Sequence, residues 1–179
     1  SFKIGPKSFF QTNSDQAEVL YKSAKKLADI TKNDTVYDLY TGTGTIAQFI
    51  ASNAKKVIGI DSVPEAIEAA NLSAIDNNIS NCMFFAGDMK NMFSDNFIQK
   101  NGKPDIIITD PPRDGMHKKV IEQLLKIMCR RIVYISCNPA TQARDIALLK
   151  EKYEISNMQT VDMFPHTHHV ENILVLDLK

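Results

Sequence analysis

Two short segments of this chain bring together residue types that do chemistry. Asp110-Pro111-Pro112-Arg113 and Ser136-Cys137-Asn138-Pro139 each follow an apolar run rich in β-branched residues. The paired prolines remove backbone donors and stiffen the turn, which holds the Asp110 carboxylate in one direction. Cys137 precedes Asn138, an expected N-cap, and Pro139, an expected first helical residue. The positive end of a helix favours thiolate, the nucleophilic form of cysteine. Cys82 and Cys129 lack that setting. A buried, inert thiol is the commonest state of cysteine, so position alone leaves reactivity open. A third segment, Phe164 to Glu171, gathers His166, His168 and His169 beside a carboxylate. Their order lacks the helical spacing of hydrolytic zinc motifs, so no metal is expected, and Glu171 becomes a candidate general base.

Asp38-Leu39-Tyr40-Thr41-Gly42-Thr43-Gly44-Thr45 adds a glycine-rich turn, and Ala47 completes a G-x-G-x-x-A pattern. Such a turn lets the backbone approach a ligand while the next helix offers unpaired N–H groups. Asp61 stands about 20 residues on, where a carboxylate can take both hydroxyls of an adenosine ribose. Asp88, in Ala86-Gly87-Asp88-Met89, is either a receiver for an adenine amino group or a helix cap. Dehydrogenases that use NAD and methyltransferases that use S-adenosylmethionine share this turn and acid.

These groups must be carried by a parallel α/β sheet, because helical and extended apolar periods alternate along the chain. Helices are expected over 13–30, 45–53, 64–77, 118–128 and 139–150, with Pro64 and Pro139 at first turns. Strands are expected over 35–40, 56–61, 82–85, 105–109 and 132–136. The stretches 153–162 and 170–178 read as a closing hairpin. The helix before the first strand and the hairpin at the end suit a methyltransferase sheet better than a dehydrogenase sheet.

Composition bounds the rest. The 179 residues make one domain of ordinary globular composition, 44% hydrophobic and 23% charged. Lys+Arg 21 against Asp+Glu 21 gives zero net charge, which speaks against nucleic-acid binding through an overall positive field. Charge is nonetheless uneven: eight basic residues face four acidic ones between Gln99 and Arg131, and this run is expected around the crevice. Three unpaired cysteines fit a reducing cytoplasm, and no apolar run approaches the roughly 18 residues of a membrane span.

Taken in order, Ser8-Phe9-Phe10-Gln11-Thr12-Asn13, the Asp38–Thr45 turn, Asp110–Arg113, Ser136–Thr141 and His168-His169-Val170-Glu171 make the chain resemble a known family. It is similar to the catalytic domain of the S-adenosylmethionine-dependent RNA 5-methyluridine methyltransferases, with an overall likeness to the 23S ribosomal RNA branch. The resemblance implies a Rossmann-like class I methyltransferase fold, a seven-stranded mostly parallel sheet with an antiparallel C-terminal edge hairpin. It further implies Cys137 as nucleophile and Glu171 as the base that removes the C5 proton. Gln11, Tyr40, Gly42, Thr45, Asp61 and Asp110 match cofactor positions, and Asp88 joins them. Thr41 stands where many relatives carry cysteine, and Thr45 where some carry asparagine. The RNA-binding β-barrel and central domain of the family, and the cysteines that hold an iron–sulfur cluster in some members, are absent from this stretch, so 1–179 is expected to be one catalytic domain. A monomer acting in the cytoplasm is the accompanying expectation. Two alternatives stay open: an amino-group methyltransferase using Asp110–Arg113, and a cofactor-binding fragment inactive without RNA-binding domains.

Overall fold

A computed structural model describes residues 13–163, 167 and 170–179. Fourteen elements appear in them: α1 (Ser14–Ala28), β1 (Thr35–Leu39), α2 (Thr45–Ala51), β2 (Lys56–Asp61), α3 (Pro64–Asp76), β3 (Cys82–Ala86), α4 (Met89–Met92), α5 (Asp95–Asn101), β4 (Ile106–Thr109), α6 (Lys118–Ile127), β5 (Arg131–Ser136), α7 (Pro139–Leu149), β6 (Tyr153–Val161) and β7 (Glu171–Leu178). The seven strands form one sheet in the order β3-β2-β1-β4-β5-β7-β6. The first five strands pair in parallel, while β7 pairs antiparallel with both β5 and β6.

Apolar side chains pack on both faces of this sheet, which is why its strands read as continuous apolar runs. Val36, Val57, Ile106, Ile108, Val133 and Ile135 pack under α1, α2 and α3. Tyr37, Ile58, Ile107, Ile132 and Tyr134 pack under the helices of the other face. Asn13 caps α1 by accepting from the Gln16 N–H, and Pro64 and Pro139 occupy first turns as their fixed φ favours.

Two features depart from the sequence expectations, and one bears them out. The short helices α4 and α5 fill a stretch that carries too few apolar repeats to announce them, although Ser94 caps α5 by accepting from the Phe97 N–H. The closing hairpin forms the antiparallel edge as expected, with β7 beside β5 and β6 outermost. Tyr40 is no strand residue; its φ of 64° starts the glycine turn. Among the described residues, no helix is long and apolar enough to cross a membrane.

The chain reverses direction across the sheet between β1 and β4, since β2 and β3 lie on one side of that pair and β5 on the other. Open α/β sheets bind ligands in the crevice at the carboxyl ends of strands at such a switch point. The glycine turn follows β1 there, and Asp110 follows β4, with its N–H donating to the Leu39 carbonyl at 3.3 Å.

Candidate active site

The glycine turn is braced from beneath by Asp38. Its side chain is buried, and Oδ2 accepts from Thr41 Oγ1 at 2.5 Å and from the Ala47 N–H at 3.1 Å. Oδ1 is buried with no partner among the described residues. Burial pushes this carboxyl up to about 7 against the lowering effect of those two bonds, and Asp61 adds to the rise. Asp61 in turn holds the outer side of the turn, accepting from the Gly42 N–H at 2.8 Å and from the Val63 N–H at 2.9 Å. A carboxylate offers about four acceptor sites, so capacity for hydroxyl groups remains on both oxygens.

The two glycines do different work. A Cβ on Gly42, at φ 55°, would meet nothing within 4 Å, so that position borders open space. A Cβ on Gly44, at φ 74°, would stand 2.6 Å from Phe84 Cε1, so this glycine exists for packing. Thr45 opens α2 with Oγ1 3.3 Å from Thr43 Oγ1. Beside the turn lies a cavity of about 310 Å³ lined by Tyr40, Ser62, Asp88, Met89, Pro112 and His117. Asp88 caps α4, accepting from the Lys90 N–H at 3.1 Å and pairing with Lys90 Nζ at 3.0 Å. Capping and lining the cavity are therefore compatible, and Lys90 holds the carboxyl below its ordinary value.

The reacting end is assembled where the loops after β4 and β5 are stitched together. Asn138 Nδ2 and Thr141 Oγ1 both donate to the Arg113 carbonyl at 3.0 Å, and Asn138 Oδ1 accepts from the Ala140 N–H to cap α7. Ser136 Oγ accepts from the Asn138 N–H at 3.0 Å and tightens the bend around Cys137. Glu171 begins β7, and the antiparallel register pairs Ser136 with Asn172. Continuing that register by one step sets Cys137 opposite Glu171.

The electrostatics of this corner overturn one expectation. The Cys137 thiol lies above its ordinary value, because burial and Glu171 disfavour the thiolate more than Arg113 favours it; Asp110 adds to the rise. Desolvation and two carboxylates both disfavour the charged thiolate. Glu171 is pushed up to about 7 by burial, tempered by the Arg113 guanidinium. Asp110, half-buried, is held well above the usual carboxylate range by desolvation, Glu171 and Asp38. Glu171 raises both Asp110 and Cys137, and Asp38 also raises Asp110, so the carboxyls gathered at this corner suit a cationic ligand.

Two neighbours were not singled out as site residues from sequence. Arg113 enters the sequence reading only as the end of the Asp110–Arg113 segment, yet its positive charge bears on the Cys137 thiol and favours the thiolate. Tyr21 reads as an ordinary member of an apolar helix face, but its hydroxyl is pushed up to about 12 by burial and then by Asp110, Asp38 and Glu171, the carboxylates of this corner. Gln11, His168 and His169 lie outside the described residues. Only part of the basic run of 99–131 lies at the crevice end of the sheet: Arg113 is there and Lys118 and Lys119 open α6 after the same loop, whereas Arg130 and Arg131 stand at the start of β5, at the opposite edge, bound to Asp34 and Asp177. Lys100 and Lys103 lie near the start of β4, at that same edge, and Lys126 pairs with Asp95. Spacing along a chain does not distinguish the two ends of a strand.

Comparison with known proteins agrees with this geometry. The family model described as tRNA (uracil-5-)-methyltransferase matches residues 1–179. An uncharacterized RNA methyltransferase of Bacteroides thetaiotaomicron is 59% identical over 178 residues, covering 99% of this chain and 39% of the relative. One from Porphyromonas gingivalis is 58% identical over 177 residues, covering 98% and 38%. The chain thus spans about two-fifths of the length of these relatives. The crystal structure of Pyrococcus abyssi tRNA (uracil-54, C5)-methyltransferase in complex with S-adenosyl-L-homocysteine superposes with a TM-score of 0.85 at 36% identity, over 98% of this chain and 41% of that one. Precorrin-6y C5,15-methyltransferase of Geobacter metallireducens GS-15, at 10% identity and a TM-score of 0.76 over 98% and 94% of the two chains, shares the fold alone. With the whole chain matched by the family model, this protein belongs to the S-adenosylmethionine-dependent RNA uracil-C5 methyltransferase family.

Proposed function

We propose that this chain is the catalytic domain of an enzyme that transfers a methyl group from S-adenosylmethionine to C5 of uridine in RNA, through a covalent adduct between Cys137 and uracil C6. The observation that carries the reading is that the β5–β7 ladder ends at Ser136 and Asn172, so that Cys137 and Glu171, the next residues on the two segments, meet at one corner where the Glu171 carboxylate and the Arg113 charge both bear on the thiol.

The residues present fit the cofactor. Open space at Gly42, the acceptor capacity of Asp61, and the cavity between Tyr40, Asp88 and Pro112 suit an adenosine. The acids Asp38 and Asp110 suit the positive charge of a sulfonium. Tyr40, Gly42, Thr45, Asp61, Asp88 and Asp110 are the residues assigned to hold it, with Gln11 added by family resemblance. When bound, the cofactor supplies an electrophilic methyl group.

C5 of uracil is too weak a nucleophile to take that methyl unaided. The Cys137 thiolate forms a bond to C6, and the electron pair of the C5–C6 double bond moves onto C5 and O4. Covalent addition thereby divides one hard step into easier ones. After C5 has accepted the methyl group, Glu171 takes the C5 proton, the C–H pair restores the double bond, and the C6–S bond breaks to return the thiolate. The positive charge of Arg113 stabilises the ionised form of the thiol. The uracil must leave its stack, or be unpaired, for both ring atoms to be reached.

Glycine substitutions separate cofactor binding from folding. Gly42→Ala should keep a cooperative fold at a cost of about 1–2 kcal/mol for its left-handed φ, while weakening S-adenosylhomocysteine binding by calorimetry, because the new methyl projects into open space. Gly44→Ala should lower thermal stability, by about 1–3 kcal/mol, because Phe84 and Ala70 must shift and φ is left-handed.

Ribosomal RNA of the 23S class is the substrate we favour, on the overall likeness of the sequence, acted on by a monomer in the cytoplasm. The test supplies the protein with 23S RNA and tRNA separately and reads the product by nucleoside mass spectrometry. 5-Methyluridine in the 23S sample is the expected result. The same nucleoside in tRNA alone would move the assignment to the other RNA, and methylation of an exocyclic amino group would favour the reading in which Asp110–Arg113 serves amine chemistry.

A further inference from the structure

Cys137 and Glu171 stand on different strands, and a buried pair of amides outside the chemistry described above ties those strands to one helix. Gln142 on α7 is 1% exposed and Asn172 on β7 is 8% exposed. Gln142 Nε2 donates to the Tyr134 carbonyl on β5 at 2.9 Å and to the Asn172 carbonyl on β7 at 3.3 Å. Asn172 Nδ2 donates back to Gln142 Oε1 at 2.7 Å. Both donors of the Gln142 amide are thus committed to strand carbonyls, which obliges its oxygen to accept and fixes the orientation of the Asn172 amide.

That orientation has a cost. Asn172 Oδ1 is buried and has no hydrogen-bond partner among the described residues. A buried acceptor without a donor destabilises a fold, whereas apolar groups of the same shape would be nearly neutral there. Stability alone therefore does not account for this pair. Its location supplies a reason: Asn172 adjoins Glu171, α7 begins two residues after Cys137, and the pairing of Ser136 with Asn172 is the last of the β5–β7 ladder before the two reacting groups. One side chain on the helix that follows the nucleophile holds the strand that carries the base.

We propose that Gln142 is a positioning residue for proton removal, setting Glu171 against the C5 hydrogen of the Cys137-bound uracil through β7 and Asn172. The inference rests on the covalent reading above and concerns its last step. Loosening the amide pair lets the start of β7 drift, while Cys137, anchored through Ser136, Asn138 and Arg113, keeps its place. Displacement of about 1 Å at a reacting group can slow a step by about 100-fold.

The experiment follows the covalent protein–RNA species in single-turnover reactions with uridine RNA and S-adenosylmethionine, comparing wild type with Gln142→Met, which keeps length and packing but has no amide. The variant should form the adduct at the wild-type rate and resolve it about 10- to 100-fold more slowly, so that the adduct accumulates. S-adenosylhomocysteine affinity should be unchanged. Asn172→Ala, which spares both carbonyl bonds of Gln142, should show the same accumulation to a smaller degree, and it serves as the test if Gln142→Met does not fold. Wild-type resolution in both variants overturns the proposal, as does parallel loss of adduct formation, cofactor affinity and thermal stability, which marks a purely structural role. Absence of any adduct with wild type contradicts the covalent reading itself, an outcome distinct from wild-type resolution in the variants.

Discussion

Cys137→Ala should lose turnover by about 10⁴-fold or more, since removal of a covalent nucleophile leaves only the catalysis that binding and orientation provide. The structure explains why such a loss would be specific. Cys137 is half-buried at the bend between β5 and α7, and its backbone is held by Ser136 and Asn138, whose contacts do not involve the thiol. Alanine therefore leaves the bend intact, and melting temperature and S-adenosylhomocysteine binding should stay at wild-type values. RNA carrying 5-fluorouracil provides a second readout, because fluorine cannot leave as a proton and the adduct is trapped. Wild type should yield a stable protein–RNA species and Cys137→Ala none. An equally stable adduct with the alanine variant would remove Cys137 from the mechanism.

Glu171→Gln should separate the two halves of the reaction. Addition and methyl transfer need no base at that position, but release does, so the methylated adduct should accumulate and turnover should fall by about 10²- to 10⁴-fold. The pH dependence carries a definite sign. Glu171 is pushed up to about 7 by burial, and the base must be ionised to accept a proton. Resolution of the adduct in wild type should therefore accelerate about tenfold per pH unit below 7 and level off above it. In Glu171→Gln this rise should disappear from the release step. The thiol, also raised, imposes its own requirement for higher pH on the addition step, so single-turnover rates of formation and decay must be followed separately. A decay that keeps the wild-type pH profile in the glutamine variant would assign proton removal to another group.

Much of this arrangement is written locally. Pro64 and Pro139 mark helix starts, continuous runs such as Ile106-Ile107-Ile108 mark strands covered on both faces, and the glycine turn falls between a strand and a helix. What escapes a reading of the sequence depends on contacts distant along the chain. The direction in which the Cys137 thiol is shifted follows from Glu171, Arg113 and Asp110, which come from other loops, and a helix N-terminus taken alone suggests the opposite direction. Gln142 and Asn172 are 30 residues apart, and Gln142 sits in a helix whose sequence gives no sign that it faces a strand end. The basic run of 99–131 looks continuous on paper, but a strand's two ends lie at opposite edges of the sheet, and Arg131 begins β5 where Cys137 follows it. α4 and α5 are too short to show a helical period.

Those contacts converge on one claim, that C5 of a uridine in RNA is the atom methylated. Release of tritium from RNA labelled at C5 of uridine, measured alongside incorporation of labelled methyl, tests it most directly. One tritium lost for each methyl gained is the predicted result, and methyl incorporation without tritium loss would contradict the account.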